Sequence, residues 1–237
     1  MVSITTTESL HYLTTNPWNI PSVKHNRGNE PLLITVSGNY NLGKSAFMNR
    51  LGARLFQQDS FTILIDESSF RHRQHPYGLR EADSNFFSFI VYMMAQRDIL
   101  IKSWLNCGFN VIIERSFTED FMLSCLLNDV SLLSESQTGL HSQLHESYMR
   151  SNRKPDCIIY FNYPAERSRF NHESAVRMGQ VPAFFCGDID REKWFSACHN
   201  RYKDFAKSLQ NEDIPVLEHR YDSYEDLLVS DFMRRFF

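Results

Sequence analysis

The chain has only nine glycines in 237 residues, no surplus of either charge, no long apolar run and no clustered cysteines. Each shortage narrows what it can be. Lys plus Arg total 25 against 28 Asp plus Glu, a net charge of -3, with a pI near 6.3. A balance so close to neutral argues against a protein that wraps nucleic acid or coats an anionic membrane through bulk charge. The most apolar stretch, 86–95, is about half a membrane span, and Arg97 and Asp98 follow it. The first thirty residues hold no hydrophobic signal core. They carry Glu8 and no arginine before Arg27, which fits neither a secretory nor a typical mitochondrial presequence. Cys107, Cys125, Cys157, Cys186 and Cys198 form no C-x-x-C and join no histidine at zinc-ligand spacing. Reduced, mostly buried thiols in a cytoplasmic protein are therefore expected. Where glycine is this scarce, two standing close together need a backbone reason.

What the chain has is apolar material for a core: 42% hydrophobic residues and 14% aromatics, dominated by 19 Phe. That is too much for a disordered chain. Residues 1–30 are Ser/Thr/Asn/Pro-rich without sustained period and read as an irregular arm; 31–237 read as one domain. In that domain short β-branched runs alternate with helical patterns. Strands are predicted at 32–37, 62–65, 110–113, 157–161 and 215–218, each apolar almost throughout, as strands buried on both faces of a parallel sheet are. Helices are predicted at 44–57, 84–106, 117–152 with a break near Gly139, 164–178, 190–209 and from Tyr224 onward. The alternation predicts a doubly wound α/β fold with a five-stranded parallel sheet.

The first predicted strand runs into Gly38-Asn39-Tyr40-Asn41-Leu42-Gly43-Lys44-Ser45 and then a helical pattern. This is the G-x-x-x-x-G-K-S/T phosphate loop in its proper context, after a strand and opening a helix. Gly38 and Gly43 let backbone N–H groups turn inward around phosphate oxygens. The helix N-terminus adds partial positive charge. Lys44 supplies a full charge to the β and γ phosphates, and the Ser45 hydroxyl can ligate Mg²⁺. Nucleoside triphosphate binding, with ATP and Mg²⁺ as cofactors, is the expectation. No N-K-x-D base-reading motif of GTPases is found. Val111-Ile112-Ile113-Glu114 ends an apolar strand in an acid, but Arg115 and Ser116 follow at once.

That last detail carries a resemblance. Ile113-Glu114-Arg115-Ser116-Phe117-Thr118-Glu119-Asp120 resembles the E-R-S-x-x-x-D segment of deoxynucleoside kinases. Gly38-Asn39, Phe87–Tyr92, Pro155–Tyr160 and the stretch from Ile189 to Ser208 resemble further segments of that family, in its order, over roughly 31–230. The resemblance implies a P-loop kinase architecture with a helical lid, transferring phosphate from ATP to the 5′-hydroxyl of a deoxynucleoside. It aligns Glu67 with the general base, beside Asp66, and Glu114 with a Mg²⁺ ligand near Ser45. Arg115 would orient Glu67 and the transferred phosphoryl group. Arg97 and Asp120 align with a pair placed over the base in purine- and cytosine-accepting members; Arg and carboxylate can lock each other in bidentate geometry. Phe89, Phe121 and Trp104 can stack on the base or belong to the core. A homodimer is implied, for which 117–152 is the candidate face, with Leu126 and Leu133 partly at the interface.

Two departures stand out. Ile90 occupies the position of a base-reading Gln, so Gln96 or another group substitutes or recognition is loosened. The family's compact lid, R-x-x-x-R-x-R, is replaced by irregularly spaced Arg167, Arg169 and Arg177, then Gly179 and the unusual 182–187. Glu173 and Asp188 are weak counterparts of the lid acid that contacts the sugar. The alternatives are a nucleoside monophosphate kinase, which resembles D-R-Y rather than E-R-S at the third strand, and a catalytically weak kinase-like binding or assembly subunit.

Overall fold

The computed structural model describes residues 30–57, 61–66, 86–180, 191–210, 214–220 and 225–236. Strand β1 (Leu33–Gly38) leads into α1 (Lys44–Phe56), β2 (Thr62–Ile65), α2 (Phe86–Asn106) and β3 (Asn110–Glu114). A single 3-10 turn (Phe117–Glu119) precedes α3 (Asp120–Asp129) and α4 (Glu135–Ser151). Then come β4 (Cys157–Asn162), α5 (Ala165–Arg177), α6 (Arg191–Gln210), β5 (Val216–Arg220) and α7 (Glu225–Phe236). The five strands form one sheet in the order β2-β3-β1-β4-β5. Every pairing is parallel, with Thr35 of β1 opposite Ile113 of β3 and Ile158 of β4.

Every residue of β1 and β3 is buried, because helices cover both faces of the sheet. On one face Ile34, Val36, Ile112, Ile159 and Phe161 pack against Phe47, Met48 and Leu51 of α1 and Phe232 of α7. On the other, Leu33, Val111 and Ile113 meet Met93, Ile101 and Trp104 of α2. Further along that face Ile158 and Tyr160 meet Leu126 and Leu127 of α3 and Trp194, Phe195 and Tyr202 of α6. Successive side chains of a strand point to opposite faces, so the near-continuous apolar runs supply both layers. After β1 the chain crosses to β2 at one edge, returns through β3 beside β1, and then passes to β4 on the other side of β1; in such sheets ligands bind outside the carboxyl ends of the strands where the order switches. Gly38 and Glu114 end β1 and β3 there.

The five strands lie within two residues of their predicted positions. The predicted break near Gly139 is corrected: the helix ends at Asp129 and restarts at Glu135, and Gly139 lies inside α4, exposed. Local polar chemistry sets the break. Ser131 takes a left-handed φ of 61°, and the Asn128 side chain donates to the Leu133 carbonyl at 3.0 Å. Ser134 then caps α4 reciprocally with Gln137: Gln137 N–H donates to Ser134 Oγ at 3.2 Å and Ser134 N–H to Gln137 Oε1 at 3.0 Å. Leu126 and Leu133, expected partly at a dimer interface, are buried inside this chain's own core. Trp104 is fully buried and packs edge-on against Phe109, ring centroids 5.3 Å apart. It is a core residue.

Two substitutions check this account of α4. Ser134→Ala should lower unfolding free energy by about 1 kcal/mol. Gly139→Ala, with open space around its added methyl, should raise it by ~0.5–1 kcal/mol. Urea unfolding of the two variants measures both signs, and a stabilising Ser134→Ala would refute the capping argument.

Candidate functional site

The loop from Gly38 to Ser45 joins the end of β1 to α1. At Gly38 the φ is +136°, and an added Cβ would stand 2.8 Å from the Phe161 Cβ and 2.9 Å from its carbonyl oxygen on β4. Only glycine lets the loop leave the sheet so close to the neighbouring strand. Gly43 takes φ 85° at the N-cap of α1. The first helical bond of α1 runs from Phe47 N–H to Gly43 O at 3.0 Å, so the amides of Lys44, Ser45 and Ala46 precede it. The first turn of α1 carries no acidic side chain, which leaves its positive end available to an anion.

Lys44 is buried, and its Nζ donates to the Asn39 carbonyl at 2.6 Å and lies 3.3 Å from Glu114 Oε1. Ser45 Oγ donates to Glu114 Oε2 at 3.1 Å. Burial pulls the Lys44 pKa below its ordinary value, opposed by the Glu114 charge. Two helices brace the loop. Asn39 donates from its side chain to the Phe195 carbonyl of α6 at 3.1 Å. From α5, Ser168 Oγ donates to the Tyr40 carbonyl, the Asn171 amide donates to the Asn41 carbonyl at 2.8 Å, and His172 Nδ1 lies 2.8 Å from the Asn41 side-chain amide. Leu42 is anchored in the core.

Arg115 follows β3 in a left-handed conformation, φ 58°. Its Nε donates to the Tyr202 hydroxyl of α6 at 2.7 Å, and its guanidinium lies 4.4 Å from the centroid of the Tyr40 ring. Phosphate loop, third strand and α6 therefore converge on one cation. Beside it Arg97 of α2 and Asp120 of α3 form a fully buried ion pair. Burial raises the Asp120 pKa, opposed by Arg97 and then His145. Glu119 is buried as well and interacts electrostatically with Arg115, Arg97 and Asp120. Sequence reasoning assigned no role to Glu119, Tyr202 or the α5 braces; Tyr202 and the braces lie far in sequence from their partners, and Glu119 stands at an unspecified position of the 114–120 segment.

Other candidates fall elsewhere. Ile90 is buried in the core beside Met122 and Leu126, with Phe89 half-buried against the same cluster. Phe121 stacks on His145, ring centroids 5.8 Å apart. It lines a cavity of about 290 Å³ with Met149 of α4 and Phe205 of α6. That cavity shares no lining residue with the phosphate loop, Arg97 or Ile90. On α5 the face carrying Ser168, Asn171 and His172 meets the loop, whereas Arg177 is exposed and donates to Ser174 Oγ at 3.2 Å. Arg169 pairs with Glu192 at 3.1 Å, and Arg167 lies over Phe170 at 5.7 Å. Glu67, Asp188 and the 182–187 stretch lie outside the described residues, as do 1–29 of the arm. Among the described residues no helix is long and apolar enough to cross a membrane.

Mg²⁺ takes few protein ligands, keeping water and substrate oxygens. The Ser45 hydroxyl and Glu114 carboxylate, bonded to each other at the head of α1, fit that donor set. No cluster of three or more His, Cys, Asp or Glu suited to holding a metal by itself is found among the described residues.

No known family's sequence profile and no curated protein sequence matches the chain. Solved structures do. Three of them are deoxyadenosine kinase from M. mycoides, with bound dCTP, with bound dATP, and with product dCMP and a flexible dCDP. Their sequence identities are 14%, 16% and 16%, and their TM-scores 0.64, 0.66 and 0.65. Each alignment covers 86% of this chain and 98% of the other. The likeness establishes the fold: a five-stranded parallel sheet flanked by helices, as in these P-loop kinases.

The Arg97–Asp120 pair gives a direct test of the cluster. Asp120→Ala removes the carboxylate paired with a buried guanidinium and should cost about 3–5 kcal/mol. Exchanging the pair for Met and Leu should cost much less, and equal losses in chemical unfolding would refute the pairing.

Proposed function

We propose that the chain is an ATP- and Mg²⁺-dependent kinase that phosphorylates the 5′-hydroxyl of a deoxynucleoside. The observation that carries this reading is Lys44, Ser45 and Glu114 drawn together where β1 and β3 end, at the uncompensated N-terminus of α1. A triphosphate at the Gly38–Ser45 loop, Asn39, Tyr40, Asn41, Leu42 and Gly43 included, would meet the helix amides and Lys44. Mg²⁺, held by Ser45 and Glu114, would neutralise phosphate charge.

Arg115, fixed by Tyr202 and Tyr40, supplies a permanent cation beside the phosphate loop, where transferred charge needs a preorganised partner. Glu67, a few residues beyond the end of β2, is the general base of this reading. An ionised carboxylate there could accept the 5′-hydroxyl proton. Arg97 and Asp120 would read the base, with Phe89 and Ile90 as apolar neighbours. Support comes from the fold's occupants, since the M. mycoides enzyme was solved with adenine and cytosine nucleotides alike. Arg167, Arg169 and Arg177 remain the candidates for closing over the phosphates; each would have to exchange its present partner for them. A homodimer is part of the proposal, with the exposed Leu140 and Leu144 of α4 as its apolar contacts in place of the buried pair.

Purified chain with MgATP should phosphorylate at least one member of a panel of deoxynucleosides, read by coupled ADP release. Lys44→Ala and Glu67→Gln should each lower kcat by about 100-fold or more. Turnover of monophosphates alone would move the acceptor to that class. ATP binding without any turnover would leave a kinase-like binding subunit.

A further inference from the structure

Three buried cations, Lys44, Arg97 and Arg115, stand at the site with three buried carboxyl groups, Glu114, Glu119 and Asp120. Lys44 pairs with Glu114 and Arg97 with Asp120. The third carboxylate differs. Glu119 is 2% exposed, and neither of its oxygens has a hydrogen-bond partner. The Ser37 hydroxyl at the end of β1 influences it without completing a well-formed bond. It ends the 3-10 turn, its amide donating to the Ser116 carbonyl at 3.2 Å. The groups that act on it come from five elements. They are Arg115 after β3, Arg97 of α2, Asp120 of α3, Lys44 of α1, and Cys198 and Tyr202 of α6.

A buried carboxylate without hydrogen bonds is costly, and it is retained where a charge is useful. We propose that Glu119 is the counter-charge of the phosphate site: a positioning carboxylate that balances Arg115 and, by gaining or losing its proton, sets how tightly the site holds a polyphosphate anion. Ionised, it adds a negative charge facing Arg115 and Arg97. Protonated, it leaves the site one unit more positive. Burial pushes its pKa up to about 7, Arg115 and Arg97 opposing and Asp120 adding to the rise. Both forms are therefore populated near neutral pH. Buried charges are screened little by salt, so the difference reaches the anion. The inference rests on the proposed nucleotide reading only in taking that anion to be a triphosphate.

The sign follows directly. The protonated form, dominant below about pH 7, binds the anion better, so affinity falls as pH rises. The test is equilibrium binding of ATP with Mg²⁺ and no acceptor, compared between the wild-type chain and Glu119→Gln at each pH, which cancels titration of the ligand. The variant should bind within twofold of wild type at pH 6 and about tenfold tighter at pH 8. Glu119→Asp, which restores the charge, should restore the slope; a merely structural role would not. Calorimetry of the wild-type chain near pH 7.5, in buffers of different ionisation enthalpy, should show a proton taken up on binding. This measurement does not depend on any variant folding. Equal affinities of wild type and Glu119→Gln at pH 8, or binding with no proton uptake, overturns the inference while leaving nucleotide binding intact. No ATP binding by the wild-type chain overturns both.

Discussion

The arrangement depends on one buried ion pair. Lys44 and Glu114 meet at 3.3 Å with almost no exposure, and taking two such charges out of water costs several kcal/mol each. The cost is offset because neither charge relies on the other alone: Lys44 also donates to Asn39 and Glu114 accepts from Ser45. A pair of this kind is weak evidence for stability and strong evidence for position. It ties the first residue of α1 to the last residue of β3, across a register that sets Val36 against Glu114. A one-residue slip of that register would carry Glu114 to the other face of the sheet.

That pair is also where composition and site part company. A chain with net charge -3 gives no sign of an anionic ligand, yet three of its cations are buried together at one end of the sheet. Whole-chain charge acts through solvent and is damped within about 10 Å at ordinary salt; buried charge is not. A protein that handles one small anion needs a local field, and near-neutral bulk charge is compatible with it.

The parts legible in the sequence were those encoded locally. Apolar runs placed five strands, and the Gly38–Ser45 spacing placed the loop and helix that it opens. Local signals can also be overlooked: Ser134-x-x-Gln137 marks the start of α4 more surely than Gly139 marks an end, because a capping box satisfies amides while a lone helical glycine only weakens a turn. The rest was not legible for a physical reason. Tyr202 reaches Arg115 across 87 positions, and Asn39 reaches the Phe195 carbonyl across 156; no spacing rule spans such distances. Gly38 shows a mixed case. Its need for glycine was visible, but the reason includes Phe161, which only packing of β4 beside β1 supplies.

Arg115 shows why the end of β3 departs from regular strand. In an extended strand successive side chains alternate between faces, so Glu114 and Arg115 would serve opposite sides of the sheet. They do, and the loop spans both: Glu114 meets Lys44 and Ser45 at α1, while Arg115, at a left-handed φ of 58°, meets Tyr40 and Tyr202 on the α6 side. Such a conformation costs a non-glycine residue roughly 1–2 kcal/mol, and it persists only where surroundings over-determine it. Here they do. The Arg115 amide is bonded to the Val36 carbonyl at 3.1 Å, its guanidinium to Tyr202, and its charge lies against the Tyr40 ring. The strain is held where adjacent positions of one buried strand end set a carboxylate on the α1 side of the loop and a guanidinium on its α6 side.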